Sequence, residues 1–121
     1  MKQKPLILTV DRNRRNVELL TQFLGKEGYQ SLSATSLEEF EQVLVDSVNI
    51  KLVLVDIAGF DRNIWNLCER LRDEQIPFLV ISPRQSAAIQ QQSLAHGARS
   101  MLVKPLVVKQ LLGLIRSLVG D

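Results

Sequence analysis

Four apolar runs in this chain each end in a polar residue. Leu6-Ile7-Leu8-Thr9-Val10 runs into Asp11, Leu52-Val53-Leu54-Val55 into Asp56, Phe78-Leu79-Val80-Ile81 into Ser82, and Met101-Leu102-Val103 into Lys104. Carboxylates bind cations and act as weak nucleophiles once their charge is compensated, while an ammonium or a hydroxyl stabilises a neighbouring anion. Unbroken Leu/Val runs without alternation fit strands buried on both faces of a parallel sheet. In an open α/β sheet, ligands bind beyond the carboxyl ends of the strands, near the point where the strand order reverses. Two carboxylates, a hydroxyl and an ammonium are therefore expected at one edge.

The elements that must position them follow from periodicity. The first strand is expected over residues 5–10 and the first helix over 13–26, with Val17, Leu20, Phe23 and Leu24 inward and Gly25 or Gly28 at its end. Residues 29–34 read as an edge strand, because Gln30, Ser31 and Ser33 interrupt its apolar character. Ser36-Leu37-Glu38-Glu39 reads as a capping box, in which Ser36 takes an orphan N–H of the second helix and Glu39 reaches back. That helix turns Leu37, Phe40, Val43 and Leu44 inward. After the central strand, 51–56, the loop 57–63 leads to a third helix over 64–74, and Ile76-Pro77 opens the fourth strand. The fourth helix, 85–96, has only the thin stripe Ala88, Ile89 and Leu94, and Gly97 closes it. A fifth strand over 99–103 and a fifth helix over 106–119, on Leu111, Leu114, Ile115 and Leu118, complete a βαβαβαβαβα order. Strands some 20 to 30 residues apart suit right-handed crossovers, so residues 1–121 read as one doubly wound α/β domain.

Composition narrows the classes. At 121 residues the chain buries enough surface for a core without staples, and its single cysteine, Cys68, excludes an internal disulfide framework. Cys68 shares a helical face with Ile64, Leu67 and Leu71, which reads as packing, and the expected compartment is a reducing cytoplasm. Met1-Lys2-Gln3-Lys4-Pro5 meets the first strand too soon for a signal peptide or a spanning helix, so no membrane association is expected. A net charge of +2 with few aromatics carries no basic stripe of the kind that binds nucleic acid. Arg14 and Arg15 read as a solvated helix face, and Asp61 as a loop acid. His96, the only histidine, falls beside Gly97 at the end of the fourth helix.

Over its whole length the chain resembles the receiver domain of two-component response regulators. The resemblance is carried by Ile7-Leu8-Thr9-Val10-Asp11, Gly28-Tyr29, Leu52-Val53-Leu54-Val55-Asp56, Leu67-Cys68-Glu69-Arg70-Leu71-Arg72, Pro77-Phe78-Leu79-Val80-Ile81-Ser82, Gly97-Ala98 and Leu102-Val103-Lys104-Pro105. It implies a flavodoxin-like (βα)5 sandwich of strand order 2-1-3-4-5. It also implies that Asp56 accepts a phosphoryl group from a histidine kinase, a phosphotransfer protein or a small phosphodonor. Asp11 and Asp56 would hold Mg²⁺, Lys104 would neutralise a phosphoryl oxygen and Ser82 would hydrogen-bond another. A cis Lys104-Pro105 peptide is a further implication. Signalling would pass through the face of helix four, strand five and helix five to an output domain or a downstream protein, and that face could pair two copies of the chain. Such a domain is not a turnover enzyme.

Departures from the family pattern bear on the site. Receivers usually carry a second acid after the first strand, and here Arg12 stands in its place. Arg12 either pairs with Asp11 or Asp56 and leaves the site permanently neutralised, or partly substitutes for the metal, since a guanidinium fork suits carboxylate and phosphate alike. Phe60 replaces the usual loop proline and Ile64 the usual glycine. Met101 stands where an aromatic switch residue is expected, and Pro83 where alanine follows the hydroxyl residue. The alternative function is therefore a phosphorylation-independent pseudo-receiver, a protein-interaction module. A flavin- or nucleotide-phosphate binder ranks lower, because Asp11-Arg12-Asn13-Arg14-Arg15 lacks the glycine- and hydroxyl-rich loop it needs. On residue type alone Asp56 could be a turn aspartate, Asp11 a helix cap, and Ser82-Pro83 a plain turn.

Overall fold

Leu52, Val53, Leu54 and Val55 are fully buried, as an unbroken apolar run requires of a central strand. The computed structural model describes residues 4–47 and 49–120; Met1 to Gln3, where the N-terminal run begins, Val48 and Asp121 lie outside them. The elements are β1 (Leu6–Val10), α1 (Arg14–Lys26), β2 (Gln30–Ala34), α2 (Leu37–Asp46), β3 (Ile50–Asp56), α3 (Ile64–Asp73), β4 (Phe78–Ser82), α4 (Ala87–Ala95), β5 (Ser100–Val103) and α5 (Val108–Val119). All four strand pairings are parallel, in the order β2-β1-β3-β4-β5. The expected flavodoxin-like arrangement is present, with β2 at an edge.

Alternation along β3 divides the core. Val53 and Val55 join Phe40, Leu44, Leu67, Cys68 and Leu71 under α2 and α3, whereas Leu52 and Leu54 join Leu24, Leu111 and Ile115 under α1 and α5. Asp56 has the parity of Leu54, so its side chain leaves the sheet toward α1 and α5. Cys68 is completely buried, and burial chiefly, with the neighbouring Glu69 charge, pushes its thiol up to about 12. It packs and does not react.

Local chemistry sets the helix ends. Asn13 caps α1 by accepting the Asn16 N–H, and Ser36 caps α2 by accepting the Glu39 N–H at 3.1 Å. The return arm of the capping box differs from expectation: the Glu39 carboxylate takes the backbone N–H and the hydroxyl of Thr35, one residue before the cap. Two bonds to Thr35 hold the Glu39 carboxyl below the usual range. Ile76 and Pro77 precede β4 instead of opening it, because the first strand pair made is Val53 with Phe78. On α4 the expected stripe is not the buried face: Ser93 is the buried residue, Ile89 is half-buried, and Ala88 and Leu94 are exposed. Its Ser93 hydroxyl donates to the Ile89 carbonyl at 2.7 Å and so carries no unpaired polar atom inward.

Candidate functional site

Strand register brings the four strand-end residues together. Val10 pairs with Val55, which sets Asp11 beside Asp56; Asp56 itself pairs with Ile81, and Ser82 with Val103, the residue before Lys104. The backbone of Lys104 donates to the Ser82 carbonyl at 3.0 Å, closing the edge. The Lys104-Pro105 peptide is cis.

Asp56 is 2% exposed, and each of its carboxylate oxygens has one partner. Oδ1 accepts the Ala58 N–H at 3.0 Å, while Oδ2 forms an ion pair with the Lys104 ammonium and receives no other donor. The turn reading of Asp56 thus holds for Oδ1, while Oδ2 faces the Lys104 ammonium. A buried carboxylate tolerates its charge only when paired in this way. Lys104 is partly exposed and bridges this buried charge to solvent.

Asp11 is half-buried and does not cap α1; its Oδ1 accepts the Asn13 N–H at 2.8 Å, and the nearby Asn16 side chain also favours its charged form. Burial raises the Asp11 carboxyl above its ordinary 3.8, and the Asp56 charge adds to the rise against the Asn13 bond and the Lys104 charge. Two carboxylates close enough to disfavour each other's charge are a pair suited to share a cation.

Arg12 pairs with neither carboxylate. Its stem lies on Gly59, where an added Cβ would come within 3.4 Å of the Arg12 Cγ, and its guanidinium stands 5.7 Å over the Phe60 ring. Both partners of this contact are departures from the family pattern, and each supplies what the other lacks. An exposed cation–π contact of this kind is worth about 0.5–1 kcal/mol. The charge that neutralises Asp56 is Lys104, and the expectation that Arg12 pairs with Asp11 or Asp56 is not met.

Ser82 is buried, and its hydroxyl serves its own turn, donating to the Arg84 carbonyl at 2.7 Å. Met101 is half-buried and packs against the α2/α3 side of the core. An open groove of about 650 Å³ leads to Asp56 and Lys104 between α1 and α5, walled by Leu19, Leu20, Phe23, Leu106, Val108 and Leu111. Sequence reasoning had not found Phe60 as the partner of Arg12, Asn16 as the support of Asp11, or the Ala58 N–H on Asp56. Only Asn16 left a trace, in its helical spacing from Asn13.

Receiver domains typically use Mg²⁺. Among the described residues no group of three or more acidic, histidine or cysteine side chains gathers to hold a metal. Mg²⁺ keeps several waters, however, and needs only one or two carboxylates besides substrate oxygens. The hard oxygen pair of Asp11 and Asp56 fits that minimal demand.

A family model described as the response regulator receiver domain matches residues 7–116. The transcriptional regulatory protein AruR of Pseudomonas aeruginosa is 29% identical over 124 residues, covering 98% of this chain and 51% of that protein. CpxR of Klebsiella pneumoniae is 32% identical over 113 residues, covering 93% of this chain and 48% of that protein. The chain thus spans about half the length of the curated relatives it matches. A response regulator receiver protein from Pseudomonas putida superposes with a TM-score of 0.86 at 24% identity, covering 97% of this chain and 99% of that one. HP1043, described as an orphan response regulator of H. pylori, gives 0.79 at 22% identity, covering 98% and 99%. These structures share the fold, and the family match extends from β1 into α5, across every strand that ends at the site. The chain belongs to the response regulator receiver domain family.

Proposed function

We propose that the chain accepts a phosphoryl group on Asp56 from a phosphohistidine of a kinase or phosphotransfer protein, or from a small acyl phosphate. The observation that carries this reading is the buried Asp56 carboxylate, charge-compensated by Lys104 at the end of an open groove. A carboxylate oxygen of Asp56 forms the new O–P bond as the donor's P–N or P–O bond breaks, and the departing group takes that electron pair and, where it is imidazole, a solvent proton. Lys104 compensates charge on the carboxylate before transfer and on a phosphoryl oxygen after it. The Ala58 N–H fixes the orientation of the carboxylate. Ser82 becomes a hydrogen-bond donor to a phosphoryl oxygen by giving up its bond to the Arg84 carbonyl. Mg²⁺, held by Asp11 and Asp56, would supply further neutralisation of the transferring oxygens.

The domain then works as a signalling module and not by turnover. The added charge biases the loops at the sheet edge, and α4, β5 and α5 present the result to an output domain, a downstream protein or a second copy of the chain. A cytoplasmic setting and a partner histidine kinase belong to the same reading. Among the described residues no helix is long and apolar enough to cross a membrane.

Two observations favour the alternative, a phosphorylation-independent pseudo-receiver: Arg12 stands where the family usually has an acid, and Ser82 is engaged within its own turn. Intact mass separates the two. Incubation with acetyl phosphate and Mg²⁺ is expected to give a single phosphoryl adduct that chelator diminishes and Asp56→Asn abolishes. A folded protein that gains no adduct would leave the pseudo-receiver.

A further inference from the structure

In the structure Arg12 is an exposed cation with no carboxylate partner among the described residues, although two carboxylates lie beside it. The reason is local. Asp56 already faces the Lys104 ammonium and the Ala58 N–H, and Asp11 takes the Asn13 N–H, while the guanidinium rests over Phe60. Its backbone, by contrast, is firmly placed. Asp11 donates its N–H to the Ala34 carbonyl, and Val10 pairs with Val55, so Arg12 follows directly on the strand end that lies beside Asp56. The bare backbone of Gly59 leaves the stem room to turn.

Phe60 is the second half of the arrangement. The half-buried ring lines a cavity of about 240 Å³ together with Trp65 at the start of α3 and with Ile89 and Gln92 of α4. Trp65 also stacks on His96 at the end of α4, with ring centroids 5.1 Å apart. Phe60 thus shares a cavity wall with a helix whose own buried residue is Ser93.

We propose that Arg12 has two berths, the Phe60 ring while Asp56 is unmodified and a phosphoryl oxygen once Asp56 is phosphorylated, and that its departure frees Phe60 to shift against Trp65 and α4. Phosphorylation brings close to two negative charges and three acceptor oxygens to Asp56, at the strand end next to the one that Arg12 follows, and a charge-assisted guanidinium contact outweighs an exposed cation–π contact. The same exchange gives the domain a route to α4 that needs neither a ring at Met101 nor a free Ser82 hydroxyl. It rests on Asp56 being the phosphoacceptor.

Trp65 is the only tryptophan and reports on this cavity. Its emission is followed at fixed pH while adduct is counted by intact mass, with acetyl phosphate and Mg²⁺, for the natural chain, Arg12→Ala, Arg12→Lys and Phe60→Leu. Circular dichroism checks that each variant is folded. The expected result is a change in Trp65 emission that tracks the adduct in the natural chain. Arg12→Ala should form adduct roughly tenfold more slowly and show no emission change when modified, with Arg12→Lys restoring part of both. Phe60→Leu should form adduct yet lose the emission change. Adduct in Arg12→Ala at the natural rate with the natural emission change would overturn the two-berth proposal and leave the phosphoacceptor intact. Absence of adduct in the natural chain would overturn the phosphoacceptor reading itself and this inference with it.

Discussion

Asp56 is a buried charge whose Oδ2 has one partner, and its energetics follow from that. Lys104→Ala strands the carboxylate, and since Lys104 is partly solvent-exposed the expected loss is about 2–4 kcal/mol, read as a lower urea midpoint at pH 7. An unchanged midpoint would show that water already compensates Asp56. Asp11 works in the opposite sense. Its carboxyl is raised above 3.8, chiefly by burial, so in the window above that value the folded chain holds more protons than the unfolded one, and stability falls as pH rises through it. Asp11→Asn removes this penalty. The variant should be more stable than the natural chain at pH 7, with the gap closing as pH falls toward 3.8, while its stability no longer responds to Mg²⁺. On the proposed reading, a bound cation would relieve this cost.

At the scale of elements, the turn between α4 and β5 is the joint on which the proposed readout face hangs. Gly97 has φ +106, and an added Cβ would lie 2.8 Å from the Arg72 Cβ on α3. Gly97→Ala should therefore cost about 1–3 kcal/mol of stability by urea unfolding, from backbone strain and from pushing α4 off α3. Within the same joint, the His96 Nε2 lies 3.3 Å from the Glu69 carboxylate. Most elements were legible because buried parallel strands and amphipathic helices write their periods directly into sequence, whereas α4 was placed by its position between β4 and Gly97 and its buried face was not foreseen. The misses fall where tertiary contact decides. Leu94 is exposed because α4 lies at the end of the sheet, against β5, and has no second layer to cover its outer side. Ile76 and Pro77 read as strand, but the register with β3 begins at Phe78, and Pro77, with no N–H to donate, offers only its carbonyl to the Val53 N–H. Glu39 turned to Thr35 because a carboxylate can take an N–H and a hydroxyl there together.

For the whole molecule, the residues that meet at the edge were legible and their contacts were not. Runs ending in Asp11, Asp56, Ser82 and Lys104 converge because a parallel sheet puts all its carboxyl ends on one side. The Arg12–Phe60 contact had no sequence signal, since it depends on the path of the loop through Gly59. The Ser82 hydroxyl could face either the site or its own turn, and only coordinates distinguish the two. The molecule that results has one buried, compensated carboxylate at the end of a groove with exposed apolar walls at Leu19 and Val108. The most direct test of its proposed role is chemical. Borohydride reduces an acyl phosphate to an alcohol, so treating the phosphodonor-exposed chain and sequencing its peptides by mass spectrometry marks the acceptor as homoserine. The account predicts homoserine at position 56 alone. Homoserine at position 11, or none in a folded chain exposed to phosphodonor and Mg²⁺, would contradict it.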